Sequence, residues 1–292
     1  MVDTSRRQSG VILALGGILL ISLDSLWIRL SELGSWDVAF WAGVFAVVAI
    51  SIVLPIRTGN SLLTVIRRDR LPLISSSLLS TLSMTMFILS IGLTSVANTV
   101  AIVAAVPLTA AVVARILIGE RASKRTWWAV IASLAGILVI VTGSIGSGSV
   151  AGDLLAVVAV LAFSGNVTLW RRYHDISRLA VIGLAGFFTA IVAFAPADPL
   201  AIDGRGLLIL ALMGVVTGPA GRVALASSTR YLPAAQVGLF APVETVAATT
   251  WAWLFLSESP PPATVVGGII VIAAAVYGSR DRAPAPDEVF GA

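Results

Sequence analysis

The 292-residue sequence predicts an all-α integral membrane protein of ten transmembrane helices, arranged as two inverted five-helix repeats. Three observations carry that prediction. Hydrophobic residues make up 58% of the chain and charged residues 12%, with a mean hydropathy of +0.99, a balance foreign to soluble globules. Apolar runs of near-spanning length recur ten times, and a hydrocarbon layer of about 30 Å needs roughly 20 helical residues to cross. The runs divide five and five, an odd number, so a duplicated unit enters the membrane from opposite sides in its two copies. None of the runs alternates polar with apolar residues as barrel strands do, which leaves helices as the way to satisfy backbone groups in lipid.

In chain order the expected spans are as follows. The first, 10–30, follows the cations of "TSRRQSG" and continues without a small-residue cleavage site, so it is a retained span and not an export signal. The second, 37–56, ends at Arg57, and the polar connection "IRTGNSLLTVIRRDR" leads to the third, 71–93, which carries a row of serines. The fourth, 95–118, contains Pro107 and ends at Gly119, and the fifth, 126–143, starts after Lys124 and Arg125. The second half repeats the count with 151–172, 179–196, 206–230, 233–256 and 263–279. Span eight holds "TGPAGR" and span nine holds Pro242 and Glu244. The units are thus 1–143 and 144–282, followed by a proline-broken polar tail, 283–292, expected to be disordered.

The cations report topology. Of the 19 Lys and Arg residues, 15 fall on one side of this layout, from Arg6 and Arg7 to Arg280 and Arg282, with only Arg205 opposite. The positive-inside rule then places both termini in the cytoplasm, and the expected location is the inner (plasma) membrane. Arg29, Arg115 and Arg222 remain within spans. Although the pI is near 10.3, the basic residues form no patch with interleaved aromatics, so nucleic acid is not an expected partner. With no cysteine and a single histidine, His174, disulfides and a metal site are not expected. No phosphate-binding Gly-rich loop followed by Lys-Ser/Thr and no nucleophile elbow occurs, so neither ATP-driven pumping nor catalysis is expected, and no cofactor.

Sliding the chain on itself by 138 positions aligns Asn98 with Gln236 and Glu120 with Glu258, and by 142 positions Asp24 with Asn166 and Arg29 with Arg171. Within the first unit, "NTVAIVAAVPLTAAVVARILIGERASKRTWWAVIASLAGILVIVTG", 98–143, resembles the repeat unit of the drug/metabolite transporter superfamily, EamA type. Pro107, the Gly119–Glu120 pair and the small-residue-rich fifth span carry the likeness. The second half resembles it through "APVETVAATTWAWLFLSE", with Ser257 in place of the glycine and Pro242 three residues before Thr245, the position matching Pro107. The resemblance implies a ten-helix metabolite exporter with a central cavity. The chain is similar in particular to the aromatic amino acid exporters, which implies a small amino-acid-like substrate, the bilayer as the other partner, and a monomer as a sufficient unit.

Charges inside spans are costly and mark the candidate site. At about 1.5 Å per residue, Glu244 lies roughly 16 Å and Arg222 roughly 12 Å from the inner surface, on consecutive antiparallel spans. They are expected either to pair with each other or to bracket a zwitterion, Arg222 on its carboxylate and Glu244 on its ammonium; proton coupling through Glu244 is a further reading. Asp24, roughly 21 Å deep, is either an interfacial carboxylate solvated from outside or a gate, and Asn166 is its repeat mate. Trp27 and Trp170 are candidates for interfacial anchoring or for substrate stacking at the cavity mouths. Pro107 and Pro242, near the midplane, free backbone groups that a wet cavity or a neighbouring helix must satisfy. The expected function is secondary transport by alternating access. Export of lipophilic cations, or a channel-like role without a binding cycle, are the alternatives.

Overall fold

A computed structural model describes residues 2–93, 99, 102–103, 105–120, 122–142, 149–256 and 262–279. The tail 283–292, Asn98 and Glu258 lie outside them, as does the side chain of Arg29. All regular elements among the described residues are helical. Numbered by the spans that the sequence predicts, span one corresponds to α1 (Val2–Ile21) and α2 (Leu23–Ser31), and span two to α3 (Ser35–Thr58). A short surface helix, α4 (Leu62–Arg68), precedes span three, α5 (Arg70–Leu93). Spans four and five contain α6 (Val106–Ile118) and α7 (Lys124–Thr142). The second half runs through α8 (Val150–Arg172) and α9 (Arg178–Phe194) to span eight, where α10 (Gly204–Ala211), a π-helical turn (Leu212–Thr217) and α11 (Gly218–Ser228) are continuous. Span nine is split into α12 (Ala234–Gly238) and α13 (Ala241–Leu256), and span ten is α14 (Pro262–Ser279).

Five helical stretches are long and apolar enough to cross a membrane: Arg7–Ile28, Ser35–Thr58, Arg70–Leu93, Val150–Arg172 and Gly204–Ser228. Shorter apolar helices such as Val106–Ile118 and Arg178–Phe194 occupy positions where the sequence predicts full spans. Large apolar side chains such as Ile12, Ile52, Leu138, Ile191 and Ile269 point outward, which suits a lipid surface and no aqueous one.

The helices pack in a two-fold pattern. The four strongest pairings join spans two and seven, five and ten, three and six, and one and eight. Replacing each span by the one five further along turns this set into itself, because one with eight becomes six with three. Two mate pairs also show their direction. The Asp198 N–H, just past α9, donates to Asp37 Oδ1 at the start of α3 (2.7 Å). Arg125 Nε, at the start of α7, donates to the Tyr277 carbonyl near the end of α14 (3.0 Å). Each mate therefore runs antiparallel to its partner.

Small residues permit these contacts. Gly17 and Gly221 meet so closely that a Cβ on either would lie 2.7 or 2.8 Å from the other's carbonyl oxygen, and Gly43 and Gly186 repeat the arrangement between α3 and α9. Such backbone approach supplies dispersion contact that lipid cannot replace. Hydroxyls of α5 add polar ties: Ser77, Thr81 and Ser83 donate to the carbonyls of Val181, Ala185 and Ala159.

Four spans are interrupted near the centre, each for a local reason. In span one the Ser22 hydroxyl bonds the Leu19 carbonyl and accepts from Trp251 Nε1 (2.8 Å). In span eight Pro219 has no N–H, and the preceding turn widens, with the Gly218 N–H reaching the Met213 carbonyl. Spans four and nine tighten just before a proline, through Ala105 N–H to Ile102 and Phe240 N–H to Val237. Pro107 and Pro242 are each the second residue of the helix that follows. The sequence register that pairs Pro107 with Thr245 is thereby corrected: the backbone places the two prolines in the same position, 135 residues apart.

Candidate functional site

The four interrupted spans, together with spans three and six and Ile182 of span seven, surround a cavity of about 140 Å³. Its wall is mainly apolar, with Ile18, Ile28, Phe87, Val160, Phe163 and Leu225 among the lining residues. Its polar groups are Asp24, Ser80, Ser83, Asn166, Trp170, Arg222 and Glu244. A smaller cavity of about 60 Å³ adjoins it behind Arg222 and Met84, lined by Met213, Gly214 and Pro219 of the interrupted eighth span.

Arg222 Nη2 donates to Asp24 Oδ2 at 2.7 Å and also approaches Met84 Sδ at 2.9 Å. This overturns two expectations. Arg222 pairs with Asp24, not with Glu244, and Asp24 is not an outward-solvated carboxylate, being only 5% exposed. The reason is helix placement: α2 and α11 sit on the same side of the cavity, held by the Gly17–Gly221 contact below them. Asp24 Oδ1 is buried with no hydrogen-bond partner among the described residues. Glu244, on the second turn-forming residue after Pro242, lines the same cavity, feels the charges of both Asp24 and Arg222, and bonds to no described residue.

Across the cavity stands a neutral counterpart. Asn166 Nδ2 donates to Ser80 Oγ at 2.6 Å, while Ser76 Oγ donates to Asn166 Oδ1 (2.7 Å) and accepts from Trp170 Nε1 (2.8 Å). The shift of 142 that matches Asp24 with Asn166 also matches Ser80 with Arg222, so the two hydrogen bonds are the same contact in the two copies. The proline register extends the comparison, because Thr109 follows Pro107 as Glu244 follows Pro242. Thr109 is satisfied by Ser164 at 2.7 Å. One corner of the cavity thus carries Asp24, Arg222 and Glu244, and the other carries Asn166 and Ser80, with Thr109 outside the lining at the position that matches Glu244.

Of the remaining sequence candidates, Trp170 is 3% exposed and lines the cavity, so it is not an interfacial anchor. Trp27 does not line it; its Nε1 donates to Thr217 Oγ1 in the π turn (3.2 Å), tying span one to span eight. Pro107 and Pro242 are buried helix starts one residue away from the lining residues Val106 and Ala241. Ser76 and Ser80 belong to the serines of span three, which can hydrogen-bond neighbours or wet a cavity wall: Ser76 bonds Asn166, and Ser80 does so while lining the cavity. Met84 and Thr109 carry no such signal in the sequence.

At the basic end of the bundle the cavity floor is held by two buried arginines. Arg171, fully buried, donates from Nε to Glu120 Oε1 (3.2 Å) and from Nη1 to the Thr229 carbonyl (3.3 Å). Glu120, at a helix end where an anion is disfavoured, therefore serves a cation, as its position suggests. Arg178 donates to the carbonyls of Trp170, Tyr173, Ile176 and Ala226, among others, fixing the turn between α8 and α9.

Chemically the arrangement sets an apolar wall beside an Arg222–Asp24 ion pair and the Glu244 carboxylate. The described residues hold no group of histidines and carboxylates able to chelate a metal. A model of the EamA-like transporter family matches residues 8–142 and again residues 150–279. No curated protein matches the chain significantly. A solved structure, known only as the crystal structure of a protein, superposes with a TM-score of 0.77 at 17% identity, covering 92% of this chain and 96% of that one. At that identity the likeness concerns the fold.

Proposed function

Because the chain belongs to the EamA-like transporter family, and is therefore a multi-pass membrane transporter of small molecules, we propose that it is a secondary carrier of small amphipathic metabolites. Amino acids with large apolar side chains, aromatic ones included, are the leading substrates. The observation that carries this reading is a single cavity with an apolar wall and opposite charges gathered at one corner. An apolar side chain lies along Phe87, Val160 and Phe163, and an ammonium group meets Glu244, which has no hydrogen-bond partner among the described residues. The units 1–143 and 144–282 act as inverted repeats, ten spans in all, that expose the cavity alternately to the two sides. The basic end faces the cytoplasm of the inner membrane.

Counterflow in proteoliposomes tests the reading. A carrier gives saturable, competable exchange of radiolabelled phenylalanine, reduced strongly in Glu244→Gln. Flux that neither saturates nor exchanges against internal substrate would indicate a channel and overturn the proposal.

A further inference from the structure

The cavity contains more hydrogen-bond acceptors than donors, and the excess has a chemical meaning. Asp24 uses Oδ2 for Arg222 and leaves Oδ1 buried and unpartnered. Glu244 offers a whole carboxylate with no described donor. Among the described residues Arg222 is the corner's only cation, and its Nη2 is given to Asp24 while its Nη1 lies beside Gly218 of its own helix. With Asp24, Arg222 and Glu244 charged, the corner carries one net negative charge. In so apolar a setting an uncompensated charge is costly, so the occupant that fits is a donor bearing one positive charge. The neutral corner supplies no compensating charge, because Asn166, Ser80 and Thr109 are uncharged and are already engaged in hydrogen bonds with Ser80, Ser76 and Ser164.

We propose that Asp24 and Glu244 together form a subsite for a primary ammonium group, and that a carboxylate on the substrate is dispensable. Arg222 acts as the fixed counter-ion that orients Asp24. This rests on the carrier reading for its location but extends it: amphipathic primary amines without a carboxylate are substrates, and acids without an amine are not. A zwitterion leaves the corner with its negative charge, whereas an amine brings it to zero. An acid doubles it.

Three compounds with the same phenylethyl body separate the cases: 2-phenylethylamine, phenylalanine and 3-phenylpropionate. Thermal stabilisation of the purified full-length protein in detergent reads binding without requiring transport. The amine should bind at least as tightly as phenylalanine and at least about tenfold more tightly than the acid, the effect expected for one charge-assisted contact. In Glu244→Gln the preference for the amine over the acid should collapse, and Glu244→Asp should keep part of it if the group acts by its charge. Stabilisation by the acid equal to that by the amine, or an unchanged preference in a folded Glu244→Gln protein, overturns the proposal. Binding of the amine without counterflow of any of the three would instead sink the carrier reading and leave the ammonium subsite standing.

Discussion

Gly16 and Gly17 are neighbours on α1, and replacing each with alanine should have opposite results. A Cβ on Gly17 would fall 2.7 Å from the Gly221 carbonyl oxygen and 2.7 Å from the Leu225 nitrogen, both backbone atoms that cannot rotate away. Ordinary contact begins near 3.4 Å, so α1 and α11 must separate by roughly 0.7 Å. Overpacking of this kind costs about 1–3 kcal/mol. The displacement also reaches the site, because Arg222 follows Gly221 and its partner Asp24 lies on α2, which follows α1 directly within span one. Lengthening a 2.7 Å contact by the same amount takes it out of the strong range for charged groups. A Cβ on Gly16 meets nothing within 4 Å, and Gly16→Ala should gain up to about 1 kcal/mol from helix propensity. Melting temperature in detergent and phenylalanine counterflow are the assays. Gly17→Ala is expected to lose both stability and transport while Gly16→Ala keeps both. Equal stability and equal transport for the two variants would refute the packing described between spans one and eight.

Arg222→Met strands Asp24 with neither oxygen bonded and should cost about 3–5 kcal/mol, and adding Asp24→Asn should restore at least about 1 kcal/mol in the same melts; strictly additive losses would contradict the pairing. The same logic applies at the basic end: Arg171→Met should cost about 3–5 kcal/mol by leaving Glu120 buried alone, with most of the loss recovered in Arg171→Met/Glu120→Gln. Since the native chain has no cysteine, Asn60→Cys and Leu200→Cys report topology cleanly, and an impermeant maleimide should reach them from opposite faces of the membrane. Labelling of both from one face would break the span order.

Much of this architecture can be read in the sequence, because hydrophobic run length and cation placement are direct consequences of the bilayer as solvent. The helix interruptions at Pro107, Pro242 and Pro219 are likewise visible, since a missing N–H acts locally. The partner of Arg222 was not legible. Depth along an axis puts Glu244 about 4 Å and Asp24 about 9 Å from its level, which favours Glu244, and only the rotation of each helix brings Asp24 to it instead. That rotation is set by Gly17 against Gly221, a contact between residues 204 positions apart that leaves no periodic trace. Trp170 misleads for a related reason: its type suits an interface, and only the α5–α8 pairing reveals that Ser76 receives its N–H. The ladder of serines on α5 is conspicuous in sequence, but which of them faces the cavity depends on the same pairing.

The charged corner of the cavity draws Asp24 from the first copy of the duplicated unit and Arg222 and Glu244 from the second. Neither copy holds the recognition chemistry by itself. A pair of identical first copies would bring two aspartates and no arginine, and a pair of second copies would bring two arginines and two glutamates but no aspartate. Fusion of the two into one chain is therefore what permits the copies to diverge, one corner gaining charge while the other stays neutral. A solute held by one charged end then has a single way to lie in the cavity, whichever side of the membrane it came from.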